Sequence, residues 1–200
     1  MFKEYDISFY GKRYKEKPTG REIGEISRKL TANRLSYNFI AKRVGENGCV
    51  FDPKVYNGTR KSDNFAAQQL FVIDIDENGT FVDMKKRTEK YNLPLLFAYR
   101  KASWKPDSDK FRLVFAMDKV ITDADTAKII TAMFMRIFNE CDKSCGDLAR
   151  MFFGSTNGLY YLADKPREIS IQSLIIEFNS YMYDKYGESH YTREIAKFYI

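Results

Sequence analysis

One stretch, Gln69-Leu70-Phe71-Val72-Ile73-Asp74-Ile75-Asp76, limits the folds open to this chain more than any other. A run of large apolar residues, rich in β-branched and aromatic side chains, describes a strand covered on both faces. Along a strand, residues two apart point to the same side, so Asp74 and Asp76 project together. Two carboxylates that close repel each other and resist burial unless a cation lies between them. Their hard oxygens suit Mg²⁺ or Mn²⁺. The plainer alternative is a strand end with solvated acids and an ordinary turn at Asn78-Gly79.

Further strands are expected at residues 95–99, 111–115 and 150–153. Helices are expected where apolar residues recur at helical spacing. Thr19-Gly20-Arg21-Glu22 has the form of a capping box ahead of Ile23, Ile26 and Leu30. A second helix covers residues 37–43 and ends at Gly45, so the first 45 residues read as mainly helical. Thr122 is expected to cap a helix with the stripe Ile130, Met133, Phe134, Ile137 and Phe138. Residues 171–186 form another amphipathic helix, and Asn57-Gly58 a turn. Strands mixed with helices in this way predict an α+β (mixed α/β) fold. The expected organisation is one unit over residues 1–200. It comprises a mainly helical part (1–45), a core (46–165) and a helical C-terminal part (166–200) open to a following domain.

The composition of 44% hydrophobic and 30% charged residues excludes a disordered chain. No apolar run reaches the roughly 20 residues a membrane span needs, and no apolar leader follows Met1, so no membrane partner is expected. Three cysteines without an export signal point to a reducing, cytoplasmic setting. The net charge of +6 permits a polyanionic partner, and aromatics interleaved with Lys and Arg suit single-stranded nucleic acid.

Two more constellations carry chemistry. In Ser103-Trp104-Lys105-Pro106-Asp107-Ser108-Asp109-Lys110-Phe111-Arg112, a polar loop enters a strand on which Lys110 and Arg112 share a face. That cation pair needs an anionic counterpart: the Asp pair, a triphosphate or a nucleic-acid backbone. An edge strand protected by lysine would look the same. In the segment from Cys141 to Gly158, acids and Arg150 precede the aromatic strand, which ends in Gly154-Ser155-Thr156-Asn157-Gly158, a loop able to receive phosphate. A third carboxylate from this segment, Asp142 or Asp147, would complete a metal site begun by Asp74 and Asp76. A surface pair between Asp147 and Arg150 is the plainer alternative.

In this order the three pieces resemble the archaeo-eukaryotic primase superfamily. Phe71-Val72-Ile73-Asp74-Ile75-Asp76 matches its first motif, and Asp142 with Arg150 and Gly154-Ser155 matches the third. The second motif departs: its histidine is absent, and His190 is the only histidine in the chain. Lys110 or Arg112 would take the histidine's place, with Ser103 or Ser108 as the serine. The resemblance implies a two-lobed fold with an RRM-like catalytic sheet flanked by helices. It implies a DNA primase or polymerase that transfers nucleotides in the replication of a mobile element such as a plasmid or phage. Two Mg²⁺ or Mn²⁺ ions would be held by Asp74, Asp76 and Asp142, with Asp147 as competitor for the third place. Ser103, Ser108, Lys110, Arg112, Arg150, Gly154 and Ser155 would bind nucleotide, and Arg60 and Lys61 the template backbone. The implied partners are a single-stranded DNA template with its primer, nucleoside triphosphates and a helicase domain or protein.

The missing histidine keeps a second class open, a replication-initiator or single-stranded-DNA-binding module without catalysis. A metal-dependent nuclease would use the same acids. Zinc is not expected: Cys141 and Cys145 are four apart, while Cys49 and His190 are remote from them.

Overall fold

In the computed structural model, residues 2–76 and 79–199 are described. The Asn78 half of the expected turn at 78–79 lies outside them. Two antiparallel sheets and six α-helices among the described residues give the α+β class expected. The smaller sheet is built from β1 (Glu4–Tyr10), β2 (Thr31–Ser36) and β3 (Val50–Asp52), with β1 central. The larger uses β4 (Lys54–Tyr56), β5 (Phe65–Ile75), β6 (Phe97–Arg100), β7 (Phe111–Ile121) and β8 (Leu159–Leu162) in the order β4-β5-β7-β6-β8.

With α3 (Phe81–Lys90) after β5 and α4 (Ala124–Ile137) after β7, the chain from β5 to β8 follows the β-α-β-β-α-β order of an RRM-like unit, but β8 pairs with β6, and β4 takes the place beside β5 where that unit's last strand would lie. The other helices are α1 (Gly20–Lys29), α2 (Tyr37–Gly45), α5 (Ile171–Tyr186) and α6 (Glu188–Tyr199).

The apolar run becomes β5, and its alternation divides the core. Phe71, Ile73 and Ile75 face a cluster with Phe111, Leu113 and Phe115 of β7 and the stripe of α4. Leu70 and Val72 face the opposite cluster, with α2 and with Tyr5, Ile7 and Phe9 of β1. A strand covered on both faces needs apolar residues at consecutive positions, which is why the run is unbroken. Asp74 is the next residue on the face of Leu70 and Val72, where that face opens onto a cleft.

Several sequence expectations change. The first 45 residues contain β1 and β2 as well as helices. The buried alternation of Tyr5, Ile7 and Phe9 is a period of two, and β2, mostly exposed, is held by its register with β1 from Glu4–Ser36 to Phe9–Thr31. The cap of α4 is Asp123, whose carboxylate accepts from the Thr126 backbone N–H, one residue beyond Thr122. Residues 150–153 form no strand beyond a single bridge of Phe152 to Phe51, and β8 supplies the edge instead. The capping box at Thr19–Glu22 and the helices over 37–45 and 171–186 form as expected.

Candidate active site

The end of β5 brings three acids together. Asp74 lies opposite Arg112 in the β5–β7 register, so its side chain, with no solvent exposure, meets a guanidinium across the strands. Asp76 follows two residues later on the same side, at the cleft. Asp142 arrives by a backbone splice: Cys141 bridges Ile75, and the Asp142 N–H donates to the Asp74 carbonyl at 2.9 Å. One carboxylate oxygen from each of Asp74, Asp76 and Asp142 lies within 4.8 Å of the others. Asp147, the competitor, stands apart and accepts from the Ala149 N–H in a local turn.

Cations surround the acids. Arg112 Nε is 3.1 Å and Arg150 2.8 Å from Asp74 Oδ2, and Arg150 also donates to Asp142 Oδ2 at 2.9 Å. Lys101 Nζ stands 2.7 Å from Asp74 Oδ1 and 2.6 Å from Asp76 Oδ1. Burial opposes ionisation of Asp74, but Arg112, Lys101 and Arg150 outweigh it and hold its carboxyl below the usual range. Partial burial of Asp142 is likewise outweighed, by the Ser144 hydrogen bonds and then Arg150, and its pKa falls to about 2. Both acids are therefore ionised at neutral pH and available as ligands. Asp74 Oδ1, fully buried, receives no hydrogen bond among the described residues. An ionised oxygen met by one lysine ammonium and set beside two further carboxylates fits a divalent cation.

These groups open onto a cleft of about 410 Å³ that is also lined by Lys17, Ala102, Ser103, Lys110, Met151, Phe153 and Gly154. Lys110 and Arg112 thus share the cleft as expected, but with different tasks. Arg112 is spent on the protein: besides Asp74 it donates to the Tyr99 hydroxyl at 3.2 Å and to the Phe153 carbonyl. Lys110 enters the cleft from the start of β7. The loop carrying Ser103 and Lys110 is braced by Asp109, which accepts from the Phe81 N–H at 2.8 Å, from Trp104 Nε1 and from the Tyr160 hydroxyl.

The remaining candidates lie elsewhere. Ser108 closes a tight turn with Lys105 and does not line the cleft. Ser155 is buried and ties the chain to Val44 and Gly48 through its backbone. Gly154 does line the cleft, and a Cβ there would meet the Cys49 carbonyl oxygen at 2.2 Å, so only glycine permits this close approach. Lys61 is exposed and outside the cleft. Arg60 points inward, to Ser27 Oγ and the Ala149 carbonyl. It belongs to a clamp: the Tyr56 hydroxyl holds the Leu148 carbonyl at 2.7 Å, Arg60 that of Ala149, and Lys54 Nζ that of Arg150 at 3.1 Å. Side chains thus bind the carbonyls that a strand partner would have bound, and they fix the backbone from which Arg150 reaches the acids.

Lys101 and Lys17 were not singled out by sequence. Lys101 had a readable signal, because Arg100-Lys101 ends an apolar strand as Asp74–Asp76 does. Lys17 had none.

The structure is similar to a phage primase-polymerase domain. A solved AEP domain of the cyanophage S-2L primase-polymerase shares 10% identity over 88% of each chain, with a TM-score of 0.47. No family model and no curated protein matches the chain. No helix among the described residues is long and apolar enough to cross a membrane.

Proposed function

We propose that this chain is a metal-dependent nucleotidyltransferase, a primase or polymerase domain. It would add nucleotides from nucleoside triphosphates to a primer on a single-stranded DNA template during replication of a mobile element. The observation that carries this reading is the meeting of Asp74, Asp76 and Asp142 in one cleft that is also lined by Lys17, Lys101, Lys110, Arg112 and Arg150. Acids alone would suit a cation-binding site, and cations alone an anion-binding site. Both together suit a metal–triphosphate complex.

Asp74, Asp76 and Asp142 would hold Mg²⁺ or Mn²⁺. The bound metal would promote attack by the primer 3′-hydroxyl and stabilise the departing pyrophosphate. The chain's own residues do the rest. Arg112 and Arg150 keep Asp74 and Asp142 ionised and aimed. Lys17 and Lys110 offer positive charge to the triphosphate, and Ser103 a hydroxyl. Gly154 lets the backbone that lines the cleft pack directly on Cys49 and Val44.

The test is primer extension on a DNA template with Mg²⁺ or Mn²⁺ and nucleoside triphosphates. Wild-type protein is expected to extend the primer. Asp76→Asn is expected to lose this activity while keeping its circular-dichroism spectrum. Extension by Asp76→Asn equal to wild type would overturn the proposal. Salt-sensitive DNA binding with no synthesis at any Mn²⁺ concentration would replace it with the binding module, and degradation of the template without triphosphates with the nuclease.

A further inference from the structure

The acid pair at the end of β5 already holds a cation of its own. Lys101 Nζ lies between Asp74 Oδ1 and Asp76 Oδ1, and its side chain is only 11% exposed. The ammonium is a close partner of both oxygens, at 2.6 Å from Asp76 and 2.7 Å from Asp74. An ammonium and a hard metal ion compete for the same carboxylate lone pairs. The other Asp74 oxygen is occupied by Arg112 and Arg150. Oδ1 is therefore the Asp74 atom left for an added ligand, and Lys101 stands against it.

Resting on the reading of these acids as metal ligands, we propose that the Lys101 ammonium is a displaceable counter-ion. It occupies the divalent position in the nucleotide-free protein, and a metal ion enters by displacing it. Charge explains when this happens. Three cations, Lys101, Arg112 and Arg150, touch the three acids, and Lys17 and Lys110 add positive charge to the same cleft. A bare divalent ion thus approaches a cleft with no net negative charge. A triphosphate reverses that balance and gives the displaced ammonium a new partner, so metal and nucleotide load together. Lys101 is then a positioning residue that sets the order of loading.

The experiment measures Mn²⁺ affinity of the nucleotide-free protein by the electron paramagnetic resonance signal of free Mn²⁺. Lys101→Met is expected to tighten binding about tenfold or more, because it vacates the gap, where short-range charge interactions are strongest. Lys110→Met removes the same charge from the same cleft without vacating the gap, and is expected to change affinity less than about threefold, as a screened charge does. Without metal, Lys101→Met should melt below wild type, and Mn²⁺ should raise its melting temperature by more than it raises the wild-type value. Lys101→Gln, polar and uncharged, should shift affinity in the same direction and serves if the Met variant does not fold.

Equal affinities for the Lys101 and Lys110 variants would overturn the counter-ion proposal and leave the metal reading standing. No Mn²⁺ binding by any of the variants would overturn both.

Discussion

Asp52 and Asp74 have equally buried side chains, and each contacts a lysine, yet they are built in opposite ways. Asp52 ends β3 and takes its partners from within four residues: the Lys54 N–H and Nζ on one oxygen and the Tyr56 hydroxyl at 2.7 Å on the other. Asp74 takes Lys101, Arg112 and Arg150 from three distant segments. At Asp52, burial dominates and pushes the carboxyl above its usual range, despite Lys54 and then Tyr56. At Asp74 the surrounding cations win. One acid is closed and has every oxygen bonded. The other opens on a cleft with one oxygen lacking a hydrogen bond.

A buried acid with a few local partners supports a fold. One held by several remote cations beside a cleft is prepared for a ligand. The two networks meet at Phe152, whose buried ring lies about equally far beneath Lys54, Arg112 and Arg150. The supporting acid thereby steadies the segment that aims the other.

The sharpest way to break this contrast is to remove one acid from each network. Asp52→Asn strands the buried Lys54 charge and is expected to lower unfolding free energy by about 3–5 kcal/mol in urea melts. Asp76→Asn, partly exposed, should shift stability by no more than about 1 kcal/mol. It should nevertheless lower primer extension by a factor on the order of 10² to 10³. If Asp52→Asn stays stable, or Asp76→Asn unfolds, the division between a supporting and a ligand-binding network is wrong.

A smaller effect tests whether the Asp52 network is replaceable. The double change Asp52→Leu with Lys54→Met removes both charges and should recover much of the stability lost in Asp52→Asn, because a buried ion pair is often matched by apolar residues of similar volume. Failure to recover would show that the Lys54 hold on the Arg150 carbonyl matters more than the pair itself. Tyr56→Phe is expected to remove about 1–3 kcal/mol, since the Leu148 carbonyl loses its donor. Its KM for nucleotide should rise more than its kcat falls, as Arg150 loosens. An unchanged KM would separate the clamp from the site.

The smallest expected effect is in acid. Asp142 is held at about 2 in the fold, below the roughly 3.9 of an unfolded chain, so its contribution to stability is present above about pH 4 and is lost as pH falls toward 2. Asp52 has the opposite sign: its raised carboxyl favours the native state as pH falls. Melts between pH 5 and 2 should therefore be less pH-dependent than wild type for Asp142→Asn and more pH-dependent than wild type for Asp52→Asn.

How much could be read in advance varied by residue. β5 and its acids were legible because an unbroken apolar run has few uses in a chain of this size, and the period of a strand fixes the side on which Asp74 and Asp76 emerge. The α4 stripe was legible for the same kind of reason. β1 carried a readable alternation at Tyr5, Ile7 and Phe9, but β2 did not, since an exposed edge strand has little pattern beyond its partner's register. Residues 150–153 looked like a strand because they are aromatic. Their carbonyls at Arg150 and Phe153 are instead held by Lys54 and Arg112, as those just before, at Leu148 and Ala149, are held by Tyr56 and Arg60, and no local pattern reports such a hold.

The sequence by itself determined the class of fold, the strand β5 and the pair of acids at its end, because local periodicity and burial follow from residue type. Only the tertiary structure decided that Asp142 and not Asp147 joins them, that Arg60 turns inward, and that Lys101 stands in the gap. Those outcomes depend on which distant charges come within a few ångströms of one another, and electrostatic energy at that range follows position in space, not position in the chain.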